Sequence, residues 1–400
     1  MKSFTEPLLG LKEYVELKTQ LKKGKKEVLQ VSGCIDAQKP HFMYSLLQEG
    51  ESAILVTSQE QNAKDFYESY RFFDRRAVYY PARDVLFYQS DIRGNLLTAQ
   101  RLTAIKAILE QPSVTVITTF DALMDRLAPR EEIEKAILTC CLGDVLDMEA
   151  VKARLVQMGY ERNYQAESAG QFAVRGGILD IFPLTEENPY RIELWGDEID
   201  SMRSFDPESQ RSIENLERVR IYPACEVSLF PERIEEGLQR LQEDGETLYQ
   251  AFRKEMKTEE AYRIKTMVDS LSEEIRELGY SGSLDSLLTY FLDGTASLFD
   301  YFSDGMALFL DEPARLAEKG RAVEQEFLES MAHRLEKGYL LPGQMEALYH
   351  WEEVFARAGR QKCVALTTLD MRLGELEAGH RYTISARSIN SYNRSFELLI

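Results

Sequence analysis

The chain has 400 residues and 44% hydrophobic content, with 48 basic against 67 acidic side chains for a net charge of −19. The apolar fraction is ample for buried cores and excludes disorder for the bulk of the chain, and the length predicts about two or three domains. The acidic balance disfavours wholesale wrapping of nucleic acid while leaving room for a local basic patch, and the lack of any run approaching roughly 20 apolar residues excludes a membrane span.

The first 120 residues alternate strand and helix. Short apolar strands are predicted at Glu27–Val31, Ala53–Thr57, Ala77–Tyr80 and Val114–Thr118, with a helix over Asn95–Gln111 that aligns Leu96, Leu102, Ile105, Ile108 and Leu109. Apolar strands separated by amphipathic helices indicate a parallel sheet covered on both faces. From Ile137 the rhythm changes to a helix at Asp147–Met158 and then crowded strands at Tyr160–Glu167, Gln171–Arg175, Ile178–Phe182, Tyr190–Trp195, Glu198–Phe205 and Leu216–Ile221. Gly176-Gly177, Gly196-Asp197 and Asp206-Pro207 supply the turns, as expected of an antiparallel sheet in a separate α+β domain. A charged helical stretch follows from Pro231 to Glu277. The α/β pattern then resumes with a strand at Met306–Asp311, a helix over Pro313–Lys337, another near Gln344–Ala358, and strands at Lys362–Thr367 and Arg381–Ala386. The expected organisation is one α/β domain in two parts, residues 1–136 and 223–400, the second including a helical segment at about 231–290. An inserted α+β domain occupies residues 137–222.

Nothing points to a metal or a cofactor. The cysteines Cys34, Cys140, Cys141, Cys225 and Cys363 contain no C-x-x-C pair, and His41, His333, His350 and His380 have no ligand spacing. Reduced, buried thiols fit a cytoplasmic protein, and the N-terminus lacks the apolar core of a secretory signal.

The first strand runs into Gly33-Cys34-Ile35-Asp36-Ala37-Gln38-Lys39-Pro40, the place of a phosphate-binding loop. A working loop reads G-x-x-x-x-G-K-[ST]. Gly33 and Lys39 are in place, but Gln38 replaces the second glycine and Pro40 removes both the metal-binding hydroxyl and a backbone donor. Asp311 and Glu312, after the apolar Leu308-Phe309-Leu310, sit where such enzymes handle Mg²⁺ and an attacking water. The competing explanation is an acidic start to the Pro313 helix, favoured by capping and the dipole. The two motifs together predict a P-loop-NTPase-like fold with a degenerate nucleotide site (Gly33, Lys39, Asp311, Glu312) and no hydrolysis.

The stretch from Tyr190 to Trp195 alternates, so Tyr190, Ile192 and Leu194 form the core face and Arg191, Glu193 and Trp195 the other. Tryptophan and arginine dominate binding hot spots, and Arg175 ends a nearby strand. The residues alone leave two explanations open: an interface, or Trp195 packed under the domain's helix with Arg191 paired to Glu193 or Glu198. No catalytic constellation is visible in this region.

The segments F-x-V-R-G-G-I-L-D-I-F-P (172–183) and Y-R-I-E-L-W-G-D-E-I-D-S-M-R-S-F-D-P (190–207) closely resemble the excision-repair protein UvrB, and more closely the N-terminal UvrB-homology module of the transcription-repair coupling factors (Mfd). The resemblance covers nearly all of the chain. Three departures favour the coupling factors: the broken phosphate loop, a connection over 80–91 too short for UvrB's DNA-clamping hairpin, and no second helicase lobe before Ile400. It implies a RecA/helicase-type domain split by an insert that docks UvrA through Arg175, Arg191 and Trp195, in an N-terminal fragment without catalysis. In the full-length protein, RNA polymerase and double-stranded DNA would be engaged by domains absent here, with no membrane involved. The alternative is a UvrB-like nucleotide-dependent repair or helicase module with residual ATP binding. The net charge of −19 and the missing hairpin disfavour UvrB-like damage binding by the chain itself, and a solvated helix end with Gly24 as its cap explains the densest basic cluster, Lys22-Lys23-Gly24-Lys25-Lys26, equally well.

Overall fold

The computed structural model describes residues 5–83, 95–302 and 306–384. Most of the 80–91 connection, and the end of the strand expected over Arg381–Ala386, lie outside the described residues. Strands β1 (Val28–Ser32), β2 (Ala53–Thr57), β3 (Val78–Tyr80) and β4 (Thr115–Thr119) form within a residue or two of expectation. The chain then leaves for β5 (Leu138–Cys141), β6 (Glu161–Arg162), β7 (Gln171–Arg175), β8 (Ile178–Phe182), β9 (Tyr190–Trp195), β10 (Glu198–Phe205), β11 (Ser212–Asn215) and β12 (Arg218–Ile221). It returns with β13 (Ala307–Asp311), β14 (Lys362–Thr367) and β15 (Ala378–Thr383).

The returning strands complete a seven-stranded parallel sheet in the order β15-β1-β14-β13-β2-β4-β3. Alternate side chains of each strand feed separate cores. Leu29, Val31, Leu55 and Phe309 pack with the helices Lys12–Lys22, Lys39–Leu46 and Glu60–Tyr70. Ile54, Val56, Leu308 and Leu310 pack with Asn95–Glu110, Pro313–Glu336 and Trp351–Gly359. Burial on both faces is why these strands read as unbroken apolar runs. The sheet places the ends of β1, β13 and β14 side by side, the position where open α/β sheets form their ligand crevice.

The insert hangs from a neck in which β5 and β12 pair antiparallel. Its second sheet, β11-β10-β9-β8-β7-β6, covers the helix Met148–Gln157, whose N-cap Asp147 accepts from Glu149 and Ala150 backbone N–H groups at 2.9 and 3.2 Å. Such a cap contributes about 1 kcal/mol. Lys106 pairs with Glu186, and Glu110 accepts from Arg220 (2.9 Å) and the Tyr222 hydroxyl (3.1 Å), fastening the insert to the Asn95–Glu110 helix.

Several expectations need correction. The strand over Tyr160–Glu167 shrinks to β6, a parallel edge beside β7, because the Gln171 side chain takes up the Glu167 and Ser168 N–H groups in a turn. β11 is exposed throughout and has one apolar residue, Ile213, among three polar ones, so it carries no alternation to detect. Leu96 is exposed, one turn ahead of the buried stretch of its helix. The charged segment is two helices, Pro231–Lys254 and Thr258–Leu278, broken at Met256 with φ 62°. The helix near Gln344–Ala358 splits into a 3-10 turn at Pro342–Glu346 and a helix at Trp351–Gly359, because Leu348 bridges Asp125 and Tyr349 N–H donates to Met124. The lysine cluster ends the helix Lys12–Lys22, with Gly24 left-handed at φ 66°, as its capping role requires.

A buried ionic cluster joins the first part of the chain to the segment leaving the insert. Arg101 donates to Asp125 (2.8 Å), Glu226 (2.8 Å) and the Pro81 carbonyl (2.7 Å), and Arg83 donates to Glu226 (2.5 Å). Burial alone would raise Glu226, but Arg101 and Arg83 reverse this and hold it at about 2, below its ordinary 4.5. The unfolded chain therefore binds the proton more readily than the native one between these values. Stability from this group is full above about 4.5 and is lost as pH falls through about 2. Asp125 has the opposite sign: burial raises it to about 6 from 3.8 against Arg101, so its contribution declines as pH rises across that interval. Denaturant titrations from pH 5 to 2 are expected to lose stability steeply in the parent and more gently in Glu226→Gln. Equal slopes would show that Glu226 does not carry the acid limb.

Candidate docking face and degenerate nucleotide pocket

The outer face of the insert's sheet is assembled by register. Ala173, Asp180, Arg191 and Arg203 lie in one row across β7, β8, β9 and β10, and Arg175, Ile178 and Glu193 in the next. Ile192, Leu179 and Ile181 point the other way into the insert's core, as the alternation requires. Trp195 ends β9 on the outer face at 83% exposed, which overturns packing beneath the helix.

The two arginines are fastened to one carboxylate. Arg191 donates from Nε to Asp180 Oδ1 (2.6 Å) and from Nη2 to Oδ2 (2.8 Å), and its Nη2 also reaches Gln210 Oε1 (2.8 Å). Its guanidinium lies 4.3 Å from the Phe205 ring centroid. Arg175 donates from Nη2 to the same Asp180 Oδ2 at 2.8 Å. The side-chain exposures are 1% for Asp180, 13% for Arg191 and 41% for Arg175, so the arginines differ in role. Arg191 spends its donors inward, and its bonds to Asp180 push it above its ordinary value against the effect of burial. Arg175 keeps donors facing solvent, where a bidentate bond to a partner carboxylate can form.

Arg191 does not pair with Glu193 or Glu198, the partners expected if it were merely neutralised. Glu193 is taken by Arg203 (2.6 Å) and Ser201 (2.9 Å), and the Arg203 hydrogen bond lowers its carboxyl below the ordinary range. Sequence reasoning did not find Asp180, Gln210 and Phe205, the residues that hold the two arginines. A signal existed for Asp180, the lone acid within the apolar run Ile178–Phe182. Gln210 carries φ 58°, a left-handed conformation unusual for a side chain of its type and the kind of strain found beside working sites.

Gly33, Lys39, Asp311 and Glu312 are brought together at the ends of β1 and β13, but as a closed cluster. The buried Lys39 ammonium contacts Asp311 Oδ1 (2.6 Å), Asp36 Oδ1 (2.7 Å) and Glu312 Oε1 (3.5 Å). Burial opposes its charge, yet Asp311 and Asp36 prevail and raise its pKa above the ordinary value. Neither acid caps the Pro313 helix as the competing explanation required. Glu312 sits at its N-cap with φ 53° and no capping bond, and its carboxylate accepts from Thr368 N (2.7 Å) and Oγ1 (2.6 Å).

The loop backbone also turns inward. Gln38 N–H donates to the Ile35 carbonyl at 2.9 Å, Lys39 N–H is shared between Ile35 and Asp36 at 3.3 Å, and Gly33 N–H donates to Thr367 at 2.9 Å. Those groups are not directed at a phosphate. A Cβ on Gly33 would meet the Ile384 carbonyl at 2.0 Å, so the glycine serves a close chain approach at φ 89°. An entering polyphosphate would face three carboxylates around one cation that is already neutralised.

Comparison with known proteins bears on this arrangement. Residues 138–226 match the family model of the UvrB interaction domain. The transcription-repair-coupling factor of Bacillus subtilis (strain 168) is 31% identical over 326 residues, covering 80% of this chain and 27% of the relative. That of Staphylococcus epidermidis is 25% identical over 378 residues, covering 94% of this chain and 32% of the relative. UvrABC system protein B of Thermosipho africanus is 29% identical over 287 residues, covering 70% and 43% respectively. The chain thus spans less than half the length of each of these relatives. The resemblance to a UvrB-homology module is borne out, and with it an α/β domain carrying an insert.

Proposed function

From a chain that carries a UvrB interaction domain and resembles transcription-repair-coupling factors over most of its length, we propose a docking module for the excision-repair protein UvrA. The insert, residues 137–222, presents the contact face. Trp195 and Arg175 touch the partner, and Arg191 holds that face together from within. The two flanking parts, 1–136 and 223–400, form a scaffold with no nucleotide chemistry. In coupling factors of the kind this chain resembles, the module would recruit excision repair to stalled RNA polymerase in the cytoplasm. Polymerase and duplex DNA would be gripped by other parts of such a protein. No helix among the described residues is long and apolar enough to cross a membrane.

The observation that carries this reading is the exposed indole of Trp195, on a face locked in register beside an arginine with free donors. Large exposed aromatics with arginine neighbours are characteristic of binding hot spots. The experiment is calorimetric titration of purified UvrA into the chain. Complex formation is expected, and Arg175→Glu is expected to weaken it by about tenfold or more, since charge-assisted bonds contribute about 1.5–3 kcal/mol. No complex with the parent would overturn the reading. Charge reversal at Arg191 is the poorer test, because it would bury two facing carboxylates and disturb the fold. Titration with ATP and Mg²⁺ is expected to give no heat. Appreciable heat that vanishes in Lys39→Ala would favour the nucleotide-dependent alternative.

A further inference from the structure

The outer face continues past Trp195. The loop after β5 runs back along the β9–β10 hairpin as a short added strand. Gly143 N–H donates to Ile199 O (2.9 Å), Ile199 N–H to Asp144 O (2.9 Å), and Leu146 N–H to Asp197 O (2.7 Å). Val145 bridges Glu198 antiparallel, and Glu198 pairs with Trp195 across the hairpin. Directly opposed residues project from the same face of a sheet. Val145, Glu198 and Trp195 therefore form one outward row. Burial agrees: Leu146 turns into the insert's core while Val145 is 79% exposed. Adjacent strands lie about 4.8 Å apart, so Val145 and Trp195 stand about 10 Å apart on either side of Glu198.

Two exposed apolar side chains on a hydrogen-bonded ladder flank the Glu198 carboxylate, which has no ion-pair partner among the described residues, Arg203 being paired with Glu193. We propose that Val145 and Glu198 extend the docking face, and that UvrA meets it with an apolar hollow spanning Trp195 and Val145, bordered by a cationic side chain opposite Glu198. The inference rests on the docking reading above and commits to UvrA as the occupant. The complementarity is specific. Arg175 calls for an acid on the partner, Glu198 for a base, and the two apolar groups for a dry surface near that base. A flat acidic surface would satisfy Arg175 alone and repel Glu198.

The test compares UvrA affinity for the parent, Val145→Ser, Glu198→Arg and Trp195→Ala, with thermal melts of each chain as a check on folding. Val145→Ser and Glu198→Arg are each expected to weaken binding by about tenfold, with melting temperatures close to the parent's, because both sites are exposed. If the parent and both variants bind equally while Trp195→Ala does not, docking stands and the extension is wrong. If the parent itself does not bind, the docking reading and the extension fall together. Sedimentation velocity of the chain alone completes the set: a dimer that dissociates in Val145→Ser would make a second copy of the chain the occupant and overturn the assignment to UvrA.

Discussion

Trp195→Ala is expected to weaken the UvrA complex by about a hundredfold or more while leaving the melting temperature of the chain essentially unchanged. The two expectations separate because of where the ring sits. At 83% exposed, the indole contributes little to the free protein, and substitutions at such positions stay within about 0.5 kcal/mol. In a complex it would supply the largest desolvated surface on the face, and anchors of this type cost about 2–4 kcal/mol when truncated. Its position is fixed, because β9 ends at Trp195, Gly196 turns at φ 65°, and Glu198 closes the hairpin opposite it. Trp195→Phe keeps a ring and is expected to retain most of the affinity. Equilibrium titration of the three chains against UvrA decides the matter, and an alanine variant binding as tightly as the parent would place the anchor elsewhere.

Asp180→Ala is expected to destabilise the chain by about 3–5 kcal/mol, the usual cost of stripping a buried charge pair of one partner. Asp180 is 1% exposed and is the common acceptor for Arg175 and Arg191, so its removal leaves the largely buried Arg191 guanidinium with Gln210 as its one hydrogen-bond acceptor beside the Phe205 ring. It also unties β7 from β9 through the strand between them. Asp180→Asn, which retains acceptor capacity, is expected to lose less. UvrA affinity is expected to fall with stability for alanine, since Arg175 loses the bond that orients it, whereas Arg175→Ala lowers affinity without comparable unfolding. Thermal and urea melts test this ordering. An alanine variant as stable as the parent would show that the two arginines do not depend on this carboxylate.

Residue periodicity and local chemistry were sufficient for much of this architecture. Apolar runs such as Ala53–Thr57 and Lys362–Thr367 marked strands buried on both faces, and alternation over Tyr190–Trp195 put Ile192 on the core face and Trp195 on the opposite one, leaving its exposure to the tertiary structure. The loss of the second glycine and the hydroxyl in the phosphate loop was legible at Gln38 and Pro40, because those requirements are stereochemical and act within a few residues. Pairing across the chain was not legible in the same way. The paired motifs placed Lys39 and Asp311 in one site, but nothing near Lys39 reveals that this carboxylate, 272 positions away, closes over the ammonium as an ion pair, or that Thr368 holds Glu312 away from the capping role of the competing explanation. Asp180's possession of both arginines, and Val145's place beside Glu198, depend on which strands lie adjacent and in what register, and a slip of one residue would send each of these side chains to the opposite face. Periods of 2 and 3.6 are written into neighbouring residues, whereas register between distant strands emerges when the cores close.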